Sequence, residues 1–144
     1  MAKVPKKESK WRIAWAIAAG YAFIGLCIIL TDWIFGFFVP AVRAGREMPS
    51  YYYPIIIVTD SIYTFGGGYL CAIVARTANR YAAIGLMIFG ELMGLASTVA
   101  LWYTVPHLYS VALMMLYPPL VWTGAWLRVR RVPVKPVMVR ASSV

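Results

Sequence analysis

Three acidic residues, Asp32, Asp60 and Glu91, lie inside long apolar stretches of this sequence. A carboxylate within a lipid bilayer costs about 2.5–3.5 kcal/mol on insertion scales unless it is protonated, paired or hydrated. Such a residue can hold a proton, bind a cation or contact a donor on another chain. We therefore take all three acids as candidates for a proton or cation site or for a partner contact.

Asp32 and Asp60 are predicted to lie at the same depth on neighbouring helices. Each is about five residues, or roughly 8 Å at 1.5 Å per residue, from the same end of its apolar stretch. Two facing carboxylates in a low dielectric cannot both ionise at low cost, so a shared proton or a bound cation is one expectation. The alternatives are access to water or headgroups, a bond to a Tyr or Thr hydroxyl, and pairing with another subunit.

A projection at 3.6 residues per turn places each acid on the small or weakly polar side of its helix. We therefore expect all three acids to face the interior of a helix bundle. The residues that share a face with them are Ala14, Ala18, Tyr21, Gly25 and Gly36 for Asp32; Thr64, Gly67, Cys71 and Ala75 for Asp60; and Met87, Gly94, Thr98 and Trp102 for Glu91.

Glu91 is predicted near the centre of the third helix, opposite Pro118-Pro119 in the fourth. These prolines are expected to kink the helix, and they leave the carbonyls of Met114 and Met115 without their usual donors. A protonated Glu91 would then donate to one of these carbonyls or to the Tyr117 hydroxyl. The other interpretations are a proton-accepting carboxylate and a contact with a partner chain.

The remaining reactive residue types form no recognisable site. Cys27 and Cys71 are isolated within apolar stretches, and His107 is the only histidine. The sequence contains no paired nucleophile and base, no phosphate-binding loop and no metal-binding motif. We predict no catalytic residue, no metal site and no cofactor, and we do not expect an enzyme.

The three acids lie within predicted transmembrane helices, of which the sequence has four. This prediction rests on composition and length: 62% of the residues are hydrophobic, and the apolar stretches are long enough to span a bilayer. We predict helices over about 11–39, 55–75, 81–103 and 108–127, within a transmembrane domain of residues 11–128. A basic cytoplasmic leader, residues 1–10, precedes this domain, and a basic, disordered cytoplasmic tail, residues 129–144, follows it.

Basic residues predict the orientation of these helices. Twelve of the 14 Lys and Arg residues lie on one side: ten in the leader, the 76–80 turn and the tail, and Arg12 and Arg128 directly beside them. Only Arg43 and Arg46 lie on the other side. This bias predicts that both termini are cytoplasmic, in a prokaryotic cytoplasmic membrane, with the basic ends on anionic lipids and no nucleic-acid partner. Two interfacial aromatic belts are expected, with Trp11, Trp15, Trp122 and Trp126 inside and Trp33, Trp102, Tyr103 and Tyr109 outside.

Small residues predict how the helices associate. Short connections favour an all-α, up-and-down four-helix bundle, and glycines allow close helix contact in lipid. The packing positions that we predict are Gly25, Gly67, Gly68, Gly90 and Gly94. A hinge or a backbone-lined ligand path over residues 66–68 is the alternative interpretation of the glycine run.

Two stretches resemble known membrane proteins. The stretch Phe89-Gly90-Glu91-Leu92-Met93-Gly94 resembles the glutamate-bearing helix of the small multidrug resistance transporters, although their glutamate is in the first helix and this one is in the third. Gly67-Gly68-Tyr69 followed by Ala75-Arg76 is similar to a pattern in small uncharacterised four-helix bacterial inner-membrane proteins. Neither resemblance implies an activity.

Two functional classes follow from these observations. The first is a non-catalytic subunit or scaffold of a membrane assembly, packed against other membrane subunits or against copies of itself. The second is a small proton- or cation-coupled transporter or channel that uses the intramembrane carboxylates. We expect the first, because no acid has an evident cationic partner or a polar path on both sides.

Overall fold

The computed structural model describes residues 10–40, 49–76 and 79–131, which form four α-helices and, within these ranges, no β-strand. The helices are α1 (Lys10–Phe38), α2 (Tyr52–Ala75), α3 (Asn79–Ala100) and α4 (His107–Arg131). Each is long and apolar enough to cross a membrane. The prediction of an all-α chain with four such helices is therefore confirmed. Residues 1–9 of the leader, residues 132–144 of the tail, and Arg43 and Arg46 lie outside the described ranges.

Two helices differ from their predicted bounds near prolines. Helix α2 begins at Tyr52 rather than at residue 55 and so includes Pro54. This is allowed because the N–H groups of a first helical turn have no partner within the helix. Helix α3 ends at Ala100 rather than at residue 103, and the Thr104 N–H donates to the Leu101 carbonyl at 2.9 Å in the turn before Pro106.

The other two differences concern basic residues. Helix α4 continues to Arg131 rather than ending at residue 127, and the Arg130 guanidinium lies 3.8 Å from the centre of the Trp126 ring. Helix α2 ends at Ala75, and its C-cap residue, Arg76, has a φ of 56° and donates its backbone N–H to the Ala72 carbonyl. The polar turn predicted over 76–80 is shorter than expected, since α3 already begins at Asn79.

Helix α2 occupies the central position in the bundle and contacts all three other helices. Its most extensive interface is with α4, to which no single loop connects it, and its next is with α1. Helices α1 and α4 contact each other least. The short connections had suggested that α2, α3 and α4 would pair in chain order. The largest interface instead joins helices that are not consecutive.

The tightest packing lies at one end of the bundle, where α1 and α3 begin and α2 and α4 end. The fully buried side chains at this end are small or branched, which lets the four helices come close together. They are Ala16, Cys71, Ala75, Ala82, Leu86 and Val121. At the opposite end the contacts are mainly aromatic, with rings paired between Phe35 and Tyr52 and between Tyr53 and Tyr109.

Most of the residues predicted for the aromatic belts are exposed, as a lipid interface requires. The four tryptophans predicted for the inner belt lie at the tightly packed end, and Trp33, Trp102 and Tyr103 are exposed toward the other end. Tyr109 departs from this pattern, because it is half-buried against Tyr53. It belongs to the interior of the bundle rather than to its surface.

The glycines divide into packing positions and open positions. A Cβ on Gly67 would meet the Ile24 side chain, one on Gly68 the Val121 backbone, and one on Gly90 the Tyr117 ring. Gly25 and Gly94, in contrast, have nothing within 4 Å of that position, so their prediction as packing glycines was wrong. Both line a cavity instead, because the helices diverge at their level.

Two packing glycines were missed in the sequence. A Cβ on Gly20 would lie 2.9 Å from both the Cys71 Cβ and the Gly67 carbonyl oxygen, and one on Gly124 would meet the Phe65 carbonyl oxygen. Neither glycine was among the packing positions predicted from the sequence. Gly20 packs against Gly67 of α2, and Gly124 packs against the backbone of Phe65 and Tyr69 of the same helix, so both close contacts are formed between helices.

Candidate functional site

A cavity of about 410 Å³ lies between the four helices, in the half of the bundle away from the tightly packed end. Helices α1 and α3 contact each other through Gly20, Tyr21 and Phe89, on the side of the cavity that is nearer the tightly packed end. Beyond these contacts the two helices separate and leave the space. The cavity is largely apolar, and the polar residues among those that line it are Asp60, Glu91, Tyr21, Ser61, Thr64, Ser97, Thr98, Tyr109, Ser110 and Tyr117.

Asp60 is half-buried on α2 and lines this cavity. Its helix face carries Thr64, Gly67 and Cys71, all of which are buried, so the predicted inward face of α2 agrees with the structure. Gly67 is in contact with α1, and this contact sets the rotation of α2 about its axis. The same rotation places Asp60 at the cavity.

Glu91 is half-buried on α3 and lines the same cavity as Asp60. Its neighbour Gly90 lies against the Tyr117 ring, which holds α3 close to α4 at this level. The Oε1 atom of Glu91 is buried and has no hydrogen-bond partner among the described residues. A buried polar atom left in this way costs about 1–3 kcal/mol, so the carboxyl group has an unused capacity for a bond.

Asp32 does not face the interior, contrary to the sequence prediction. It is exposed on α1 and does not line the cavity, although its charge is near enough to interact with that of Asp60. The buried face of α1 consists of Ala16, Gly20 and Ile24, and farther along it Thr31 shares a 2.6 Å hydrogen bond with the Tyr63 hydroxyl of α2. The close contact at Gly20 determines which face of α1 is buried, and the polarity of its side chains does not.

The structure also changes the expectation for the two prolines. Pro118 and Pro119 both lie inside a continuous α4. The Tyr117 hydroxyl donates to the Leu86 carbonyl at 3.3 Å, and Oε1 of Glu91 makes no bond with it or with the carbonyls of residues 114 and 115. The structural role expected for Glu91, which was to satisfy the carbonyls freed by the prolines, is thus not fulfilled by this oxygen.

The other residue types with reactive groups remain apart. Cys71 is buried in the tightly packed end, Cys27 is half-buried, and both are free thiols. His107 is exposed, with its ring 4.1 Å from that of Trp102. Among the described residues, no three His, Cys, Asp or Glu side chains come together as the ligands of a metal ion would.

A second, shallower space of about 330 Å³ lies on the outside of α3 and α4. Glu91 and Met114 line both this groove and the interior cavity. The rest of the groove is apolar and consists of Met87, Ile88, Leu92 and Leu95. Glu91 therefore lies at the boundary between the interior of the bundle and its outer surface.

Sequence reasoning located both carboxylates of the site and named Tyr21, Thr64, Thr98, Tyr109 and Tyr117 in other connections, but it missed the three serines. Ser61, Ser97 and Ser110 attracted no attention because a serine in an apolar helix is inexpensive and common. Only their convergence on one cavity gives them a possible role. Comparisons with protein-family models, with curated proteins and with solved structures found no match to this chain.

Proposed function

We propose that this chain is an integral membrane protein with four up-and-down spans and both termini on the cytoplasmic side. The charge bias supports this orientation, with twelve basic residues on one side and two on the other. The ends that carry most of these charges, the start of α1 and the end of α4, belong to the same end of the bundle. A C-terminal alkaline phosphatase fusion should be inactive and a C-terminal green fluorescent protein fusion should be fluorescent. The reverse pattern would contradict the proposed orientation.

We further propose that its role is that of a non-catalytic subunit of a membrane assembly. The observation that carries this proposal is the exposure of Asp32 on an apolar helix face. Ile29 and Trp33, which lie about 60° and about 100° from Asp32 around the helix, are exposed large apolar residues. A carboxylate facing lipid is unfavourable, and it is stabilised when another chain covers it with a donor.

The chemistry of this face defines the partner. Asp32 lies six residues before the end of α1 at Phe38, about 9 Å along the helix at 1.5 Å per residue. The partner would be a membrane-embedded helix that presents a hydroxyl, amide or basic group at this depth and apolar side chains around it. A second copy of this chain is one form such a partner could take.

Purification in mild detergent followed by native mass spectrometry tests this proposal. Wild-type protein should retain a stable partner, and Asp32→Leu should lose it because leucine cannot accept a bond. Asp32→Asn should retain part of the binding. Asp60→Asn is the matched control, since Asp60 lies inside the bundle and should leave the complex intact.

The outcomes separate the possibilities clearly. A monomeric wild-type chain in native membranes, or equal partner retention by Asp32→Leu, would remove the proposed contact. A homo-oligomer that depends on Asp32 would identify the partner as another copy. A complex with a different chain would identify the protein as part of a mixed assembly.

A second candidate function is proton- or cation-coupled transport, which the shared cavity of Asp60 and Glu91 favours. Intramembrane carboxylates next to an internal cavity are typical of such pathways. In proteoliposomes, a transporter should show uptake that depends on the pH gradient and is lost in Asp60→Asn and Glu91→Gln. Uptake no greater than that of empty liposomes would exclude this candidate for the solutes tested.

A further inference from the structure

Asp32 and Asp60 lie at nearly the same depth on neighbouring helices. Thr31 of α1 and Tyr63 of α2 share a 2.6 Å hydrogen bond, which fixes the register of the two helices at this level. Helix α1 ends and α2 begins at the same end of the bundle. Toward that end, Asp32 lies one residue beyond the bond and Asp60 three residues beyond it, or about 1.5 and about 4.5 Å at a rise of about 1.5 Å per residue. The two carboxylates therefore differ by only about 3 Å in depth.

Electrostatic interactions connect these two carboxylates with two tyrosines. The negative charge of Asp32 is close enough to act on Asp60, and both charges act on the hydroxyls of Tyr52 and Tyr109. Tyr109 also lines the same cavity as Asp60. Among the described residues, no Lys, Arg or His is a charge that acts on any of these four groups. Oxygen-bearing side chains from α1, α2 and α4 thus converge on one region, and the chain described here places no positive charge in it.

The hydroxyl of Tyr52 is a second, independent observation. Tyr52 is only 1% exposed, and its hydroxyl oxygen is buried without a hydrogen-bond partner in the described part of the chain. Its ring lies 5.4 Å from that of Phe35, which is one turn beyond Asp32 and about 60° from it around α1. Most buried polar atoms in proteins are bonded, and an exception needs an explanation. An ion between the carboxylates, with its hydration water, would supply the missing partner.

The ligands available favour a partly hydrated divalent cation. Two carboxylates close together in a low dielectric do not both ionise at low cost, and a double positive charge balances both, whereas a shared proton balances one. Mg²⁺ binds oxygen atoms and usually keeps several waters, with one or two carboxylates as its protein ligands. Asp32 is exposed and leaves room for these waters, while Asp60 is half-buried. A metal enclosed by protein needs more ligands than the described residues bring together.

We propose that Asp32 and Asp60 bind a partly hydrated divalent cation of the Mg²⁺ type, with the hydroxyls of Tyr52 and Tyr109 in contact with the ion or its waters. The ion would link the last turns of α1 to α2 and α4. This inference goes beyond the proposed subunit role and does not rest on it. The partner contact needs Asp32 alone, whereas the ion needs both carboxylates. Asp60→Asn should therefore lose the ion and retain the partner, so the two proposals can fail separately.

The test uses the purified full-length chain in phosphatidylcholine nanodiscs near neutral pH, with Mn²⁺ as a paramagnetic substitute for Mg²⁺. The loss of the free Mn²⁺ signal in electron paramagnetic resonance should show saturable binding above that of empty nanodiscs, and Mg²⁺ should displace the bound ion. Asp32→Asn and Asp60→Asn should each bind about tenfold more weakly, since each removes a charged ligand. Tyr52→Phe should bind about threefold more weakly, because it removes one neutral oxygen. Glu91→Gln is the matched control and should bind within about twofold of wild type, because Glu91 is not among the groups whose charge acts on Asp60.

A second measurement on the wild-type chain guards against variants that fail to fold. A water-soluble carbodiimide with glycine ethyl ester converts accessible carboxyl groups to amides, and mass spectrometry gives the rate of this reaction at Asp32. Mg²⁺ should slow the reaction, whereas Na⁺ at the same ionic strength should not. The absence of saturable Mn²⁺ binding above that of empty nanodiscs would overturn the proposal. Wild-type affinity in the Asp32 and Asp60 variants, or equal protection by Na⁺, would overturn it as well.

Discussion

Replacing Gly68 by alanine is expected to force α2 and α4 apart. A Cβ at this position would lie 2.9 Å from the Val121 Cα and 3.0 Å from its carbonyl carbon, and nearer still to its carbonyl oxygen. Carbon atoms pack best at about 3.5–4.0 Å, and the atoms here are backbone that cannot rotate away. The two helices must therefore separate by roughly 0.5–1 Å, which disrupts the most extensive interface in the bundle.

The magnitude follows from comparison with a matched substitution. Gly94→Ala is also within a helix, but a Cβ there meets nothing within 4 Å. Both variants gain about 1 kcal/mol from the higher helix propensity of alanine, so this gain cancels between them. Overpacking costs about 1–3 kcal/mol, and we expect Gly68→Ala to be less stable than Gly94→Ala by that amount.

The assay is reversible unfolding of the purified chain in mixed detergent micelles, followed by tryptophan fluorescence. Gly94→Ala should be at least as stable as wild type, and Gly68→Ala should be less stable. The alanine side chain of Gly124→Ala would meet the Phe65 carbonyl oxygen across the same interface. The double variant Gly68→Ala/Gly124→Ala should therefore lose less unfolding free energy than the sum of the losses in the two single variants. Equal stabilities of the Gly68 and Gly94 variants would refute the reasoning about the contact between α2 and α4.

Further substitutions test one hydrogen bond and one backbone conformation. Thr31→Val and Tyr63→Phe should each destabilise the chain by about 0.5–1.5 kcal/mol, and the double variant by little more, because the two hydroxyls share one 2.6 Å hydrogen bond; additive effects in the same unfolding assay would contradict this. Arg76→Gly should raise stability by about 1 kcal/mol, because Arg76 has a φ of 56° that favours glycine. An Arg80→Gly control should be destabilising, since Arg80 is within α3, and a loss of stability in Arg76→Gly would contradict the strain argument.

The sequence predicted the inward face of α2 correctly because four small or weakly polar residues lie on that face. Thr64, Gly67, Cys71 and Ala75 recur at helical spacing, and all four are buried. In α1 the small residues are distributed more evenly around the helix, so the projection did not distinguish between faces. The choice of Asp32 as an interior residue failed for that reason.

The candidate site could be predicted only in part. An acid within an apolar stretch can be recognised from the local sequence alone, and this pattern identified both Asp60 and Glu91. Their convergence on one cavity depends on where α1 and α3 separate beyond Tyr21 and Phe89. Side-chain contacts between distant segments determine that position, and no local pattern records them.

By itself, the sequence determined that the chain forms four helices long enough to cross a membrane, because apolar composition and length act within each segment. Only the tertiary structure decided that α2 and α4 share the main interface, that Asp32 is exposed and that Asp60 and Glu91 line one cavity. The physical reason is that glycine contacts such as that of Gly68 with Val121 set the rotation and spacing of helices. Such contacts require two surfaces to fit each other, and a single helix contains only one of them.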